Sequence, residues 1–303
     1  MNAKKQPQYS WLSYRQSQVV GFLLSARALG LIFYTLTLYV STFFLFNQEE
    51  SLRSFVFDYK VHGIILCSVL SIAAGGLINQ FYDREKDRLT RPFRSYLQSF
   101  IKQKYILYSY LLLNVLSLGM AYLLSSRIFI FFLIYQFLIW FYSHKLSRWV
   151  VVNHGVYVSL SLYPFFGLLV YYQYFSYKLF WMAVFLFLTL LMIDILKDYT
   201  TRRADFLFGY QTLPIVFGSK VTRIVLFFLM MMNAGAAGVV VTYVRHSYFL
   251  KYYFMASIGV FVLMGIKLLF SKPIKVVLLI NWLKIWIFIG VGCMFLNGVY
   301  ERF

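Results

Sequence analysis

Acidic residues are what this sequence lacks most. Ten Asp and Glu stand against 29 Lys and Arg in 303 residues, and charged residues make up 13% of the chain. A soluble domain is usually about a quarter charged. With 61% hydrophobic residues, this composition excludes an ordinary soluble fold. Cysteine is equally scarce. Cys67 and Cys293 both lie inside apolar runs, which excludes a disulfide framework and reads as small buried side chains. The four histidines, His62, His144, His154 and His246, show no metal-ligand spacing, which argues against haem or zinc. His144, beside Tyr142 and Lys145, reads as an interfacial residue. No Ser/Gly linker or low-complexity segment divides the chain, so 1–303 reads as one polytopic membrane domain. No cleavage-type site precedes the first apolar run, so no removable signal peptide is expected.

What is present is a series of apolar runs. They are around 20 residues long and do not alternate, so they are helices crossing a bilayer. In lipid only helices or closed barrels satisfy the backbone. Hydropathy gives nine spans, roughly 28–47, 61–82, 105–124, 128–142, 150–173, 178–197, 222–244, 249–270 and 275–298. The expected fold is therefore an all-α integral membrane protein of nine transmembrane helices. Pro164 falls mid-span and predicts a kink. Gly75-Gly76 and Gly235-Ala236-Ala237-Gly238 read as sites of close helix packing.

The net charge of +19 invites a nucleic-acid reading, and its distribution argues against one. Sorted by these spans, twenty-one Lys and Arg fall on the face that holds the N-terminus and seven on the other, with Lys284 inside the last span. The positive-inside rule makes the richer face cytoplasmic. The expected setting is a multi-pass protein of a bacterial plasma membrane, with membrane lipids as neighbours and no nucleic-acid partner. Nothing in the sequence fixes an oligomeric state.

Six of the ten acids occupy two places on the cytoplasmic face. Asp83, Glu85 and Asp87 close the second span, and Asp194, Asp198 and Asp205 close the sixth. Each cluster is followed by a basic, Pro-containing loop, Arg91-Pro92 and Leu213-Pro214, an echo of the kind internal repeats leave. Asn79, Asp83 and Asp87 stand four apart. On a helix they form one polar stripe drifting by about 80° over two turns. Asp194 and Asp198 form a second stripe, and Asp205 returns to it about three turns on if the helix continues. Carboxylates at a membrane boundary need partners. Two such clusters ringed by Arg and Lys suggest a cation and a polyanion held together. Mg²⁺ with a diphosphate is the simplest pair, because Mg²⁺ takes one or two carboxylates plus phosphate oxygens.

Asn79-x₃-Asp83-x₃-Asp87 running on to Arg91-Pro92-x-Arg94 resembles the first signature of the UbiA family of intramembrane prenyltransferases. The second run, with Gly209, Thr212, Leu213 and Pro214 behind it, resembles that family's second Asp-rich motif. Phe141-Tyr142-Ser143-His144-Lys145, with Asn153, Pro164 and Gly167 beyond it, resembles the middle segment. The resemblance covers nearly the whole chain. It implies a central cavity and Mg²⁺-dependent transfer of a prenyl chain from an allylic prenyl diphosphate to a hydrophobic or aromatic acceptor. It assigns catalytic roles to Asp83, Asp87, Asp198 and Asp205, with Asp194 joining them as a metal ligand. Asn79, Arg88, Arg91, Lys145 and Arg148 are then the candidates for the diphosphate. Ionising the allylic C–O bond puts negative charge on the diphosphate, where a metal and Arg or Lys stabilise it. The carbocation needs a dry aromatic cavity. The acceptor stays open among quinone-ring precursors, other phenolic acids, a polyketide-like phenol and a glycerophosphate lipid.

Two departures stand out. The family's second motif carries an acid four residues before the position of Asp205, and here that residue is Thr201, a far weaker Mg²⁺ ligand. The Pro and Gly that often follow Arg-Pro-x-Arg are Ser95 and Ser99. On a continuous helix Asp198 and Asp205 stand about 10 Å apart, too far for one Mg²⁺. A break over Tyr199–Ala204 is therefore expected, bringing Asp205 toward Asp87. Two rivals remain: a catalytically weakened homologue that binds prenyl lipids, which Thr201 favours, and an ion-coupled transporter, whose carboxylates belong at the midplane and not at span ends. A phospholipid-head-group transferase would need an Asp-Gly-Ala-Arg pattern, which is absent.

Overall fold

The computed structural model describes residues 11–46, 51–244, 248–270 and 275–302. The helices are α1 (Trp11–Ser25), α2 (Ala28–Ser41, running into a π turn over Thr42–Phe46), α3 (Leu52–Phe57), α4 (Tyr59–Thr90), α5 (Pro92–Gln98), α6 (Gln103–Leu124) and α7 (Ser126–His144). After a 3₁₀ turn at Leu146–Arg148 come α8 (Val152–Tyr172), α9 (Tyr177–Leu207), α10 (Leu213–Val216), α11 (Gly218–Tyr243), α12 (Tyr248–Phe270) and α13 (Val276–Arg302). Nine helices among the described residues are long and apolar enough to cross a membrane, in the order the hydropathy gives. Lys4, Lys5, Arg245, Lys272 and Phe303 lie outside the described residues.

Local chemistry sets the helix ends. Asp58 caps α4, its carboxylate accepting from the Lys60 and Val61 amides, and the Tyr171 hydroxyl on α8 donates to the same carboxylate at 3.0 Å. At the other end Arg91 leaves the helical region at φ −141°, ψ 62°, and Pro92 opens α5 as its first residue. Ser125 and Ser176 cap α7 and α9 through their hydroxyls. The helix α1 precedes the first span and packs on α5. Arg27, left-handed at φ 56°, separates α1 from α2.

Among the described spans α4 is the most enclosed and α13 the least. Polar groups tie α4 to its neighbours α6 and α7: Ser71 to Ser117 at 3.0 Å, Gln136 to Ser71 at 3.2 Å, and the Cys67 thiol to the Ser117 carbonyl at 3.3 Å. In lipid such contacts fasten helices where hydrophobicity cannot. Gly76 lets α4 approach the α1–α2 turn. A Cβ there would stand 3.0 Å from the Ser25 carbonyl oxygen. In the second small-residue patch Ala236 and Ala237 are buried in the core, while a Cβ on Gly235 would meet nothing close. Pro164 leaves α8 unbroken. It removes the amide that would serve the Leu160 carbonyl, and the Tyr135 hydroxyl on α7 takes that carbonyl at 3.0 Å.

The expected break over Tyr199–Ala204 does not occur. α9 runs unbroken to Leu207. The segment holds no Gly or Pro. Thr200 returns its hydroxyl to the Lys197 carbonyl at 2.7 Å and Thr201 donates along the helix to Asp205 at 2.6 Å, bonds compatible with helix. The chain turns only where Gly209, at φ 71°, allows it.

Candidate active site

α4 and α9 both run past the apolar part of their spans, and the overhangs carry the acids. At the end of α9 the Gly209 amide bonds the Phe206 carbonyl at 3.3 Å and the Tyr210 amide bonds the Asp205 carbonyl at 2.9 Å, the Schellman arrangement. That turn returns Tyr210 toward α4, where its hydroxyl donates to Asp83 at 2.5 Å. Burial, and then the Asp83 carboxylate, raise the Tyr210 phenol well above its ordinary pKa, so it stays a donor. Lys86 completes the junction. Its ammonium lies 2.6 Å from Asp205 and 3.9 Å above the Tyr210 ring. Asp205 is fully buried, and its second oxygen accepts from Thr201 at 2.6 Å. The carboxylate thus faces the protein interior, and a continuous helix delivers it there. Its Oδ1 meets Lys86 as an ion pair without hydrogen-bond geometry.

The second cluster has a partner that sequence reasoning discounted. His154, buried near the start of α8, reaches Asp194 through Nδ1 at 2.9 Å and approaches Asp198 with Nε2 at 3.3 Å. The first contact is a hydrogen bond. The second lacks hydrogen-bond geometry, so Asp198 Oδ2 is buried without a hydrogen-bond partner. Lys197 touches the other Asp194 oxygen at 3.4 Å and lies 4.9 Å from the centre of the Tyr157 ring. Asp87 accepts from the Thr90 hydroxyl at 3.5 Å and has Arg27 within electrostatic reach. Asn79 sits half-buried one turn inside Asp83.

The basic candidates divide. The Arg148 guanidinium lies 5.6 Å from the Tyr210 ring centre, next to Asp83. Arg91 stands at the α4 C-cap, exposed. Arg88 turns outward and pairs with Glu85 at 2.9 Å, both side chains more than half exposed. Lys145 lies 5.7 Å from the Trp149 ring centre, on the surface. Arg27, absent from the sequence candidates, is accessible, with Tyr157, Asp87 and Asp83 within electrostatic reach. His144 stacks on Trp140 and leans on Tyr82, as an interfacial residue does.

Among the helices is a partly open apolar cleft of about 150 Å³. Ser41 of α2, Phe165 of α8, Met182 and Leu186 of α9, Phe254 of α12 and Val291 of α13 line it. The chain thus pairs an acidic, cation-bordered mouth with an oily recess. The description "UbiA prenyltransferase family" matches residues 36–275. The chain belongs to the UbiA prenyltransferase family.

Its curated relatives within that family include the digeranylgeranylglyceryl phosphate synthase of Thermococcus gammatolerans, 26% identical over 209 residues, covering 68% of this chain and 73% of the relative. The enzyme of the same name from Pyrococcus abyssi is 30% identical over 53% of this chain and 58% of its own length. Among solved structures, one reported for digeranylgeranylglyceryl phosphate synthase superposes with a TM-score of 0.68 at 18% identity, covering 93% of this chain and 99% of that one. A UbiA homologue from Archaeoglobus fulgidus bound to DMAPP and Mg²⁺ gives 0.66 at 16% identity, covering 92% and 99%. The UbiA fold expected from the motifs is the fold found, and the chain is a multi-pass membrane prenyltransferase.

Within this UbiA chain, sequence reading missed Lys86, His154, Lys197, Tyr210 and Arg27 as partners of the acids. Tyr210 carried a usable signal, since it follows the Gly that ends the second motif. His154 carried none at metal-ligand spacing, because its two acids lie on another helix.

Proposed function

We propose that this protein transfers a prenyl chain from an allylic prenyl diphosphate to a lipid acceptor that bears a phosphate. The observation that carries the reading is the junction of α4 and α9. It brings Asp83, Lys86, Asp205 and Tyr210 together, with Asp87 and Asp198 in electrostatic reach, in a bundle that also holds an apolar recess. Relatives named for a glyceryl phosphate product favour a lipid acceptor over an aromatic one.

The residues fit Mg²⁺. Among the described residues no group of three His, Cys, Asp or Glu forms a protein-only cage. Mg²⁺ needs only one or two carboxylates when phosphate oxygens complete its shell. Asp87 and Asp198, whose Oδ2 lacks a hydrogen-bond partner, would supply them, with Asp83 in electrostatic reach of Asp87. Asp194 and Asp205 already hold cationic partners and support the site from behind. When bound, Mg²⁺ supplies Lewis-acid stabilisation of the departing diphosphate. Arg148, Arg91 and Arg27 border the same mouth and neutralise phosphate oxygens. The allylic carbon exchanges its bond to the diphosphate oxygen for one to the acceptor, which loses a proton. Apolar walls keep water from the cation. Thr201 favours the second reading, a weakened homologue, because it holds Asp205 and gives no carboxylate of its own.

The test is purified protein in detergent with Mg²⁺, a series of prenyl diphosphates, and phosphate-bearing and phenolic acceptors, with products identified by mass spectrometry. Prenylated lipid is expected; no transfer to any acceptor leaves the weakened homologue standing. Metal dependence gives a second check. With excess chelator, binding of the prenyl diphosphate is expected to vanish together with turnover, because carboxylates repel an uncompensated diphosphate. Tight binding in chelator would remove the central mechanism. The orientation we propose puts the acids and the N-terminus in the cytoplasm. A reporter fused after Phe303 should then read non-cytoplasmic, and a cytoplasmic signal there means the span count is off by one.

A further inference from the structure

Lys284 is a charge in an apolar helix. It stands eight residues into α13, about 12 Å from that helix's start at 1.5 Å per residue. Its side chain is exposed, and among the described residues it has no carboxylate partner. Ionisable groups at such depth are expensive and face a cavity or mark a function. Snorkelling is the plain alternative, and two observations oppose it. Ile287 and Val291 follow Lys284 by about one and two helical turns, and both line the apolar cleft, so Lys284 borders the same face. Lys197, Tyr157 and Arg91 lie within electrostatic reach of it, on three other elements of the bundle. Lys197 in turn lies about three turns beyond Leu186, another cleft residue.

Lys284 on α13 and Lys197 on α9 are therefore within electrostatic reach of each other, with cleft-lining residues on both helices. Lys197 is balanced by Asp194. Lys284 adds an unbalanced positive charge among cations, and this arrangement is unfavourable until an anion arrives. The diphosphate belongs at the mouth, among Asp83, Asp87, Arg148 and Arg91. Lys284 stands about 12 Å into α13, the least enclosed of the described spans.

We propose that Lys284 binds the anionic head group of the acceptor, a phosphate, at a point separate from the diphosphate. This rests on the prenyltransferase reading and names the acceptor's recognition element. An acceptor entering from the lipid would leave its tails in the bilayer and swing its head group to Lys284. Its nucleophilic atom would then lie next to the allylic carbon. Lys284 is thus a specificity-determining residue and takes no part in ionising the donor.

The experiment compares wild type, Lys284→Met and Lys284→Arg, with steady-state kinetics for donor and acceptor separately. Three acceptors are used: a phosphate-bearing glyceryl ether lipid, the same lipid as its free alcohol, and an aromatic carboxylic acid. A charge-assisted hydrogen bond lost at this site is expected to raise KM for the phosphate lipid at least about tenfold in Lys284→Met. Lys284→Arg should restore it, KM for the prenyl diphosphate should stay unchanged, and the alcohol should be used equally by all three proteins. Unchanged donor KM certifies that the variant is folded; should Lys284→Met be unstable, Lys284→Gln carries the same test. An unchanged acceptor KM, or an equal rise for the donor and for the uncharged alcohol, overturns the assignment. Loss confined to the aromatic acid replaces the phosphate with a carboxylate and overturns the lipid acceptor too. Absence of any turnover by the wild type overturns the prenyltransferase reading itself, which separates the two failures.

Discussion

Asp83→Ala and Asp87→Ala will each lower turnover by at least about a hundredfold, at about 1.4 kcal/mol per tenfold. Each removes a carboxylate from the mouth that α4 presents, and the metal chemistry proposed for these acids would be worth several kcal/mol of transition-state stabilisation. Expression and helix content should change little, because both residues lie at a wet boundary beyond the apolar part of α4. The two variants separate in one respect. Asp83 also receives the Tyr210 hydroxyl, so its loss loosens the turn after α9 as well. Tyr210→Phe keeps the carboxylate and deletes only that bond, and should cost far less activity than Asp83→Ala. Single-turnover assays at saturating donor make the comparison. Near-normal turnover in Asp83→Ala or Asp87→Ala removes the assignment.

The second large effect is on stability. Lys86→Ala leaves Asp205 charged and fully enclosed, with Thr201 as its remaining side-chain donor. Removing one partner of a buried pair costs about 3–5 kcal/mol, because the survivor keeps its desolvation penalty. The thermal midpoint in detergent should fall accordingly. Lys86→Met with Asp205→Asn deletes both charges and should recover much of the loss. Equal midpoints for wild type and Lys86→Ala would show that water reaches Asp205 and that the pair does not fasten α4 to α9. Since Lys86 also lies over the Tyr210 ring, the variant should weaken donor binding too.

How far these residues could be read in advance depends on what kind of information places them. Spans follow from apolar length, and Asn79, Asp83 and Asp87 follow from a four-residue repeat, so both were legible. Partners across helices were not. His154 meets Asp194 from 40 residues away and Lys86 meets Asp205 from 119, and neither separation leaves a periodic mark. Thr201 shows the risk in reading a position by what relatives carry there. Taken as a lost ligand it implied a broken helix. In the fold its hydroxyl steadies the neighbouring acid within an intact helix. Arg88 shows the converse: spaced like a phosphate ligand, it pairs with Glu85 in water.

The 32 residues of α4 form one rod about 48 Å long, while a bilayer's hydrocarbon core is about 30 Å thick. Asp58 fixes one end of that rod, gripped by Tyr171, and Asp83 and Asp87 ride near the other. Nothing between them can flex without breaking helix. The height of the acids above the lipid is therefore set from the opposite leaflet. A thicker or thinner membrane must be met by tilting α4, and tilt displaces the acids relative to the head groups. Turnover is therefore expected to depend on lipid chain length, which assays in vesicles of different acyl length would measure.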